Sequence, residues 1–104
     1  MFLNHEDDAV SAAPEVHKVI FENETVRVLD VVVPIKYKSA SHWHPKNICY
    51  VLSSGALRFT LPDGAVKDVQ LLGNQVTQGE GFHIVENIGD NEVRVIQIEF
   101  KSTL

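Results

Sequence analysis

No window of the 104 residues places apolar side chains at i, i+3, i+4 and i+7 for the three or so turns that a stable helix needs, while turn signals recur about every ten residues. That combination restricts the chain to an all-β barrel or sandwich. Val16 to Phe21, Thr25 to Val33, Ile48 to Leu52, Ala56 to Leu61, Val66 to Leu72 and Glu92 to Phe100 are short and rich in Val, Ile and aromatics, as strands are. Leu57, Phe59 and Leu61 alternate with Arg58 and Thr60, the period of a sheet with one wet face. Leu61-Pro62-Asp63-Gly64 and Asn87-Ile88-Gly89-Asp90-Asn91 turn the chain. The last strand carries Val93 and Val95 on one parity and Ile96, Ile98 and Phe100 on the other, which requires either a bulge or cover on both faces, the second supplied by a subunit interface.

The length suits one domain. Residues 1–14 mix charged and small side chains without periodicity and are expected to form a flexible acidic arm, with residues 15–104 as the barrel. A net charge of -5 disfavours nucleic acid and anionic membranes as partners, and no apolar run is long enough to span a bilayer. The acidic start lacks the features of a signal peptide, so the expected location is the cytoplasm. The single cysteine, Cys49, reads as a small core residue, since alone it can close neither a disulfide nor a thiolate metal cluster.

Chemistry concentrates in Ser41-His42-Trp43-His44-Pro45. Two histidines one residue apart on a strand project from the same face, where their imidazoles can grip one ion of Zn, Cu, Fe or Ni. Trp43 must then point the other way, to the outside of the barrel or a dimer contact. A third histidine, His83, stands in Gly81-Phe82-His83-Ile84-Val85-Glu86-Asn87, another strand-like segment that only folding can bring to the pair. His5 and His17 lie away from both segments and are expected to be exposed. Glu86, of opposite parity to His83, is expected at the surface, and Asn87 is expected to satisfy turn backbone groups.

These two segments resemble the two motifs of the cupin superfamily of small β-barrels: His42 and His44 match the first pair, and His83 with Asn87 matches the second. Val26 to Asp30 before the first motif, Tyr50-Val51-Leu52 and the Leu61 to Gly64 hairpin between motifs, and Glu86 to Asp90 after them extend the likeness over roughly residues 20–101. The resemblance implies an antiparallel cupin barrel of the jelly-roll or double-stranded β-helix type, commonly a homodimer. The chain departs from the pattern in three places. Lys36 stands where Gly is customary, implying a different turn; Gln78 or Gly79 stands where Pro is usual; and the metal-binding Glu of the first motif is replaced by Asn47 or Ile48, depending on register.

The resemblance therefore implies a three-histidine site, His42, His44 and His83, for a divalent metal (Fe, Ni, Zn, Cu or Mn). Neutral imidazoles do not offset the charge of such an ion, so open positions fall to water, to the Asn47 oxygen as a weak ligand, or to an anionic substrate. Three-histidine cupins include iron dioxygenases, so an Fe(II)-dependent dioxygenase acting on a small organic molecule is the first expectation, and a non-catalytic barrel binding a small molecule without metal is the alternative. Lys36, Lys38 and Lys46 are expected to make the pocket mouth locally positive.

Overall fold

A computed structural model of the chain describes residues 7–101. Its elements in order are α1 (Ala9–Ala12), β1 (His17–Glu22), β2 (Val26–Val33), β3 (His42–Val51), β4 (Gly55–Thr60), β5 (Val66–Leu71), β6 (Val76–Asn87) and β7 (Val93–Phe100). The strands form one antiparallel seven-stranded sheet in the order β1-β2-β7-β3-β6-β4-β5, rolled into the expected barrel. No helix among the described residues is long and apolar enough to cross a membrane.

Strand alternation decides what the barrel encloses. In β2 every second residue from Arg27 to Val33 is buried, and in β7 every second residue from Val93 to Glu99. Their register is unbroken from Val26 opposite Phe100 to Val33 opposite Val93, so no bulge resolves the mixed parity of β7. Its inner face is Val93, Val95, Gln97 and Glu99, and Ile96, Ile98 and Phe100 are half-buried on the outer face. Paired side chains grade the interior from apolar to polar. Val33 with Val93 and Val31 with Val95 sit at one end, Leu29 with Gln97 in the middle, and Arg27 with Glu99 at the other. The apolar end continues through Val51, Leu57, Leu71 and Val85 as the core.

β3 is longer than sequence alternation suggested, because it carries a bulge. Between His44 opposite Gly81 and Asn47 opposite Gly79, β3 has one residue more than β6. Pro45 cannot donate to a ladder and sits in that irregularity, where its missing N–H costs nothing. Asn47 locks the bulge: its Nδ2 donates to Pro45 O at 2.8 Å and to Gly79 O at 3.1 Å, while its Oδ1 accepts from Gln97 Nε2 at 3.0 Å. Both ends of this amide are thus engaged within the wall.

The turn before β3 differs from expectation in a second way. Lys36 has φ of 67°, the left-handed conformation a glycine would adopt, so the lysine accepts the same kind of turn at some cost in backbone strain. Asn87 performs its expected role, with Nδ2 donating to Val33 O at 2.9 Å and Asn91 O at 2.8 Å and Oδ1 accepting from Gly89 N at 2.9 Å.

Within the expected arm, residues 8–13 are docked on the barrel. Asp8 caps α1 by accepting from Val10 N, and Ala9 and Ala13 are fully buried. Trp43 N donates to Asp7 O at 2.7 Å, so the segment pairs with β3 beyond the point where β7 ends. Asp8 is held there by Arg27, whose Nη1 and Nη2 each donate to its carboxylate at 3.0 Å. A buried cation on β2 thus anchors a stretch that composition alone marks as loose.

Candidate metal centre

His42 and His83 are directly opposite each other in the β3–β6 ladder, and His44 faces Gly81 two residues along. This register brings the two separated motifs together. The ring centroids of His83 lie 4.7 Å from His42 and 5.2 Å from His44, and those of His42 and His44 are 4.9 Å apart.

The structure adds His17, expected at the surface, to this cluster. His17, at the start of β1, is buried, with its ring 4.9 Å from His42 and 5.1 Å from His44. The docked N-terminal segment links β1 to β3 and so carries His17 over the polar end of the barrel. The ligand atoms of His17, His42 and His44 all lie within 4.8 Å of one another. His83 flanks this trio on the side where Phe59 packs against it at 4.9 Å. His5 lies outside the described residues.

Three of the four rings are oriented by acceptors at Nδ1. His17 Nδ1 bonds Ala13 O at 2.9 Å, His42 Nδ1 bonds Ala40 O at 2.9 Å, and His44 Nδ1 bonds the Glu99 carboxylate at 2.6 Å. Carbonyl and carboxylate acceptors place the proton on Nδ1 and leave a bare Nε2 lone pair on the opposite side of each ring. His42 Nε2 is buried with no hydrogen-bond partner, a position that costs free energy unless something electrophilic meets it. The imidazoles are also held neutral. Burial first, and then the neighbouring rings, push His17 and His44 down to about 3 and His83 to about 2, and burial lowers His42 as well. Neutral, Nδ1-anchored histidines with ligand atoms within 4.8 Å of one another are a donor set that suits a divalent metal.

Behind His44 runs a buried chain of charge. Glu99 is completely buried; its Oε1 accepts from Arg27 Nε at 2.7 Å and its Oε2 meets His44. Arg27 passes the connection to Asp8. Burial raises the Glu99 carboxyl above its ordinary range, against the pull of Arg27. The carboxylate that the first motif lacks is therefore supplied one layer back, on β7, where it reaches the centre only through an imidazole.

The histidines form one end of a cavity of about 450 Å³. Its far wall is the core itself, and Cys49 lines its side, the thiol pushed by burial up to about 11 and so a poor nucleophile at neutral pH. Of the expected lysines, Lys36 and Lys38 do not line it, while Lys46 stands in an adjoining recess that shares Asn47, Gln78, Gly79 and Glu80 with it; Lys67 is a second cation at its edge. Glu86 is half-buried opposite Arg58 and does not face the cavity. Trp43 points away from the cavity, as its parity requires.

Neither a protein-family model nor a curated protein matches the chain. Solved structures do. A cupin domain from Bordetella pertussis is 27% identical, with 84% of this chain and 93% of that one covered and a TM-score of 0.76. A double-stranded β-helix domain protein from Klebsiella pneumoniae (18% identity, 80% and 73% coverage, TM-score 0.65) and an RmlC-like cupin family protein from Methanocaldococcus jannaschii (14%, 82% and 78%, 0.66) share the fold.

Proposed function

We propose that this chain, which has the fold of a small cupin domain, binds one divalent metal ion through His17, His42 and His44, with His83 as a fourth imidazole at its side, and acts on a small organic molecule in the adjoining cavity. The observation that carries the reading is the orphaned, fully buried His42 Nε2 among rings whose Nδ1 atoms are already tied back. A divalent ion at such a centre would supply Lewis acidity, and Fe(II) would add electrons for dioxygen chemistry; the neutral donor set and the adjoining cavity support an Fe(II)-dependent dioxygenase as the finer reading. The chain's own contribution is to fix the rings, keep them unprotonated and exclude bulk water behind apolar walls.

Metal analysis of untagged protein after loading with Zn(II), Fe(II) or Mn(II) tests this directly. One ion per chain is expected, falling to background in His42→Ala and His44→Ala; equal metal content in wild type and both variants would sink the proposal. Glu99→Gln keeps the size of the side chain but weakens the acceptor behind His44, and is expected to cost about 10- to 100-fold in metal affinity. Oxygen uptake by the Fe(II)-loaded protein in the presence of β-dicarbonyl, thiol and phenolic compounds separates catalysis from binding alone.

We also propose a homodimer. The outer face of the sheet carries an apolar row, Phe21, Val28, Ile98 and Ile48, running across four strands, and β1 ends the sheet with Val19, Ile20 and Phe21 exposed. An unpaired edge with this composition needs cover, and a second copy supplies it. Size-exclusion chromatography with light scattering should give a dimer for the wild type and a monomer for Phe21→Lys with Ile98→Lys; a monomeric wild type overturns this reading.

A further inference from the structure

The centre and its cavity also specify the class of molecule that fits, given the metal-binding reading above. The donor set contains no carboxylate, so the ion's two positive charges are not neutralised by its ligands. The buried charges beside the centre form the chain of Asp8, Arg27 and Glu99, which together carry one formal negative charge; Glu15, which also acts on His17 and His42, is exposed to solvent that screens it. Ion and chain together therefore keep one positive charge in a buried site, where an unbalanced charge is expensive.

The rest of the cavity offers nothing to balance it. Apart from the histidines, its only charged lining side chains among the described residues are Lys67 and Glu80, both exposed at its edge. Gln97 is uncharged and donates its Nε2 to Asn47 Oδ1. Thr77 and Gln78 add uncharged polar groups, and the rest of the wall is largely apolar, with Leu57, Phe59, Val69, Leu71 and Val85 lining it from β4, β5 and β6. A volume of about 450 Å³ is that of a small-ligand pocket.

We infer that the cavity takes a monoanionic molecule with an oxygen head and an apolar body, the head set against the histidine centre and the body along the Leu57–Val69 wall. A dianion overcompensates the charge, a neutral amide leaves it unmet, and a short polar acid forfeits the wall.

Straight-chain carboxylates are the test, read by the visible absorption of the Co(II)-loaded protein, whose metal content is measured first. Affinity should rise about fourfold per methylene from acetate to hexanoate. Hexanamide should bind at least tenfold more weakly than hexanoate, and succinate no better than butyrate. Val69→Glu should flatten the chain-length series while metal content stays at one per chain. A flat series on fully loaded wild-type protein, or an amide as good as the acid, overturns the inference and leaves metal binding standing. Absence of cobalt from the protein overturns the metal reading and this one with it.

Discussion

Arg27→Met is expected to lower the stability of the metal-free protein by about 3–5 kcal/mol, the cost of leaving buried carboxylates without their cation. For a domain of about 100 residues that lowers Tm by roughly 15–30 °C. The substitution preserves length and apolar packing, so the loss comes from charge. Glu99, with no exposed surface, loses the donor at 2.7 Å, and Asp8 loses both of its 3.0 Å bonds. Asp8 also caps α1 and lies beside the pairing of the N-terminal segment with Trp43, so its release loosens the segment that carries His17 toward the centre. The triple variant Asp8→Asn, Arg27→Met, Glu99→Gln removes the stranded charges together and should recover much of the loss. Urea denaturation of the three proteins decides it: if Arg27→Met costs less than about 1 kcal/mol, or the triple variant is no more stable than the single one, the chain of charge does not hold the polar end together. Native-state hydrogen exchange at Ala12 and Ala13, whose amides bond Asp8 O and Ala9 O, should rise in Arg27→Met ahead of exchange in the core strands.

The same chain of charge marks where sequence reasoning ran out. Period-2 patterns and turn residues are local, and they place the strands and the barrel class. His42 and His83 could be paired from the family likeness, since each motif announces itself within a few residues. His17 could not. Its inward face depends on β1 pairing with β2 in a register that puts His17 beside Val31, and on the segment before it closing onto β3. That closure rests on an ion pair between Asp8 and Arg27, 19 residues apart, and neither residue declares a partner in sequence. One local signal was available: Asp8 followed by Ala-Val-Ser-Ala and then Pro14 is an N-cap, a helical turn and a stop. Glu99 was hidden for a related reason. The alternation of β7 looks contradictory until both faces are known to be covered, and then the odd positions, Glu99 included, turn inward. The missing motif carboxylate thus has a counterpart 55 residues beyond His44, on a neighbouring strand.

Metal-free protein should also unfold in mild acid, and steeply. Four imidazoles are held neutral by burial in the folded chain, His17 and His44 at about 3, His83 at about 2, and His42 lowered too, whereas each titrates near 6.5 once unfolded. Below pH 6.5 the unfolded chain therefore binds more protons than the folded one, so stability falls as pH falls, and the loss continues down to about pH 3. Each histidine contributes a slope of up to about 1.4 kcal/mol per pH unit. Glu99 acts in the opposite sense, its raised affinity for a proton favouring the folded chain in acid, but it is one group against four. A domain of ordinary stability, about 5–15 kcal/mol, cannot withstand three or four such slopes for long, which places the acid midpoint between about pH 4 and 5.5, well above the range where carboxylates alone unfold proteins. Circular dichroism against pH should show this midpoint. Replacing His83 with Phe, which keeps a ring beside Phe59, should move the midpoint to lower pH and make the transition shallower by about one proton. A saturating divalent ion should stabilise the fold at neutral pH and move the acid midpoint to lower pH, because the ion binds the folded chain and protons must charge the same rings to release it. A wild-type midpoint below about pH 3.5, unchanged by His83→Phe, would mean that the four histidines are not held neutral by the fold.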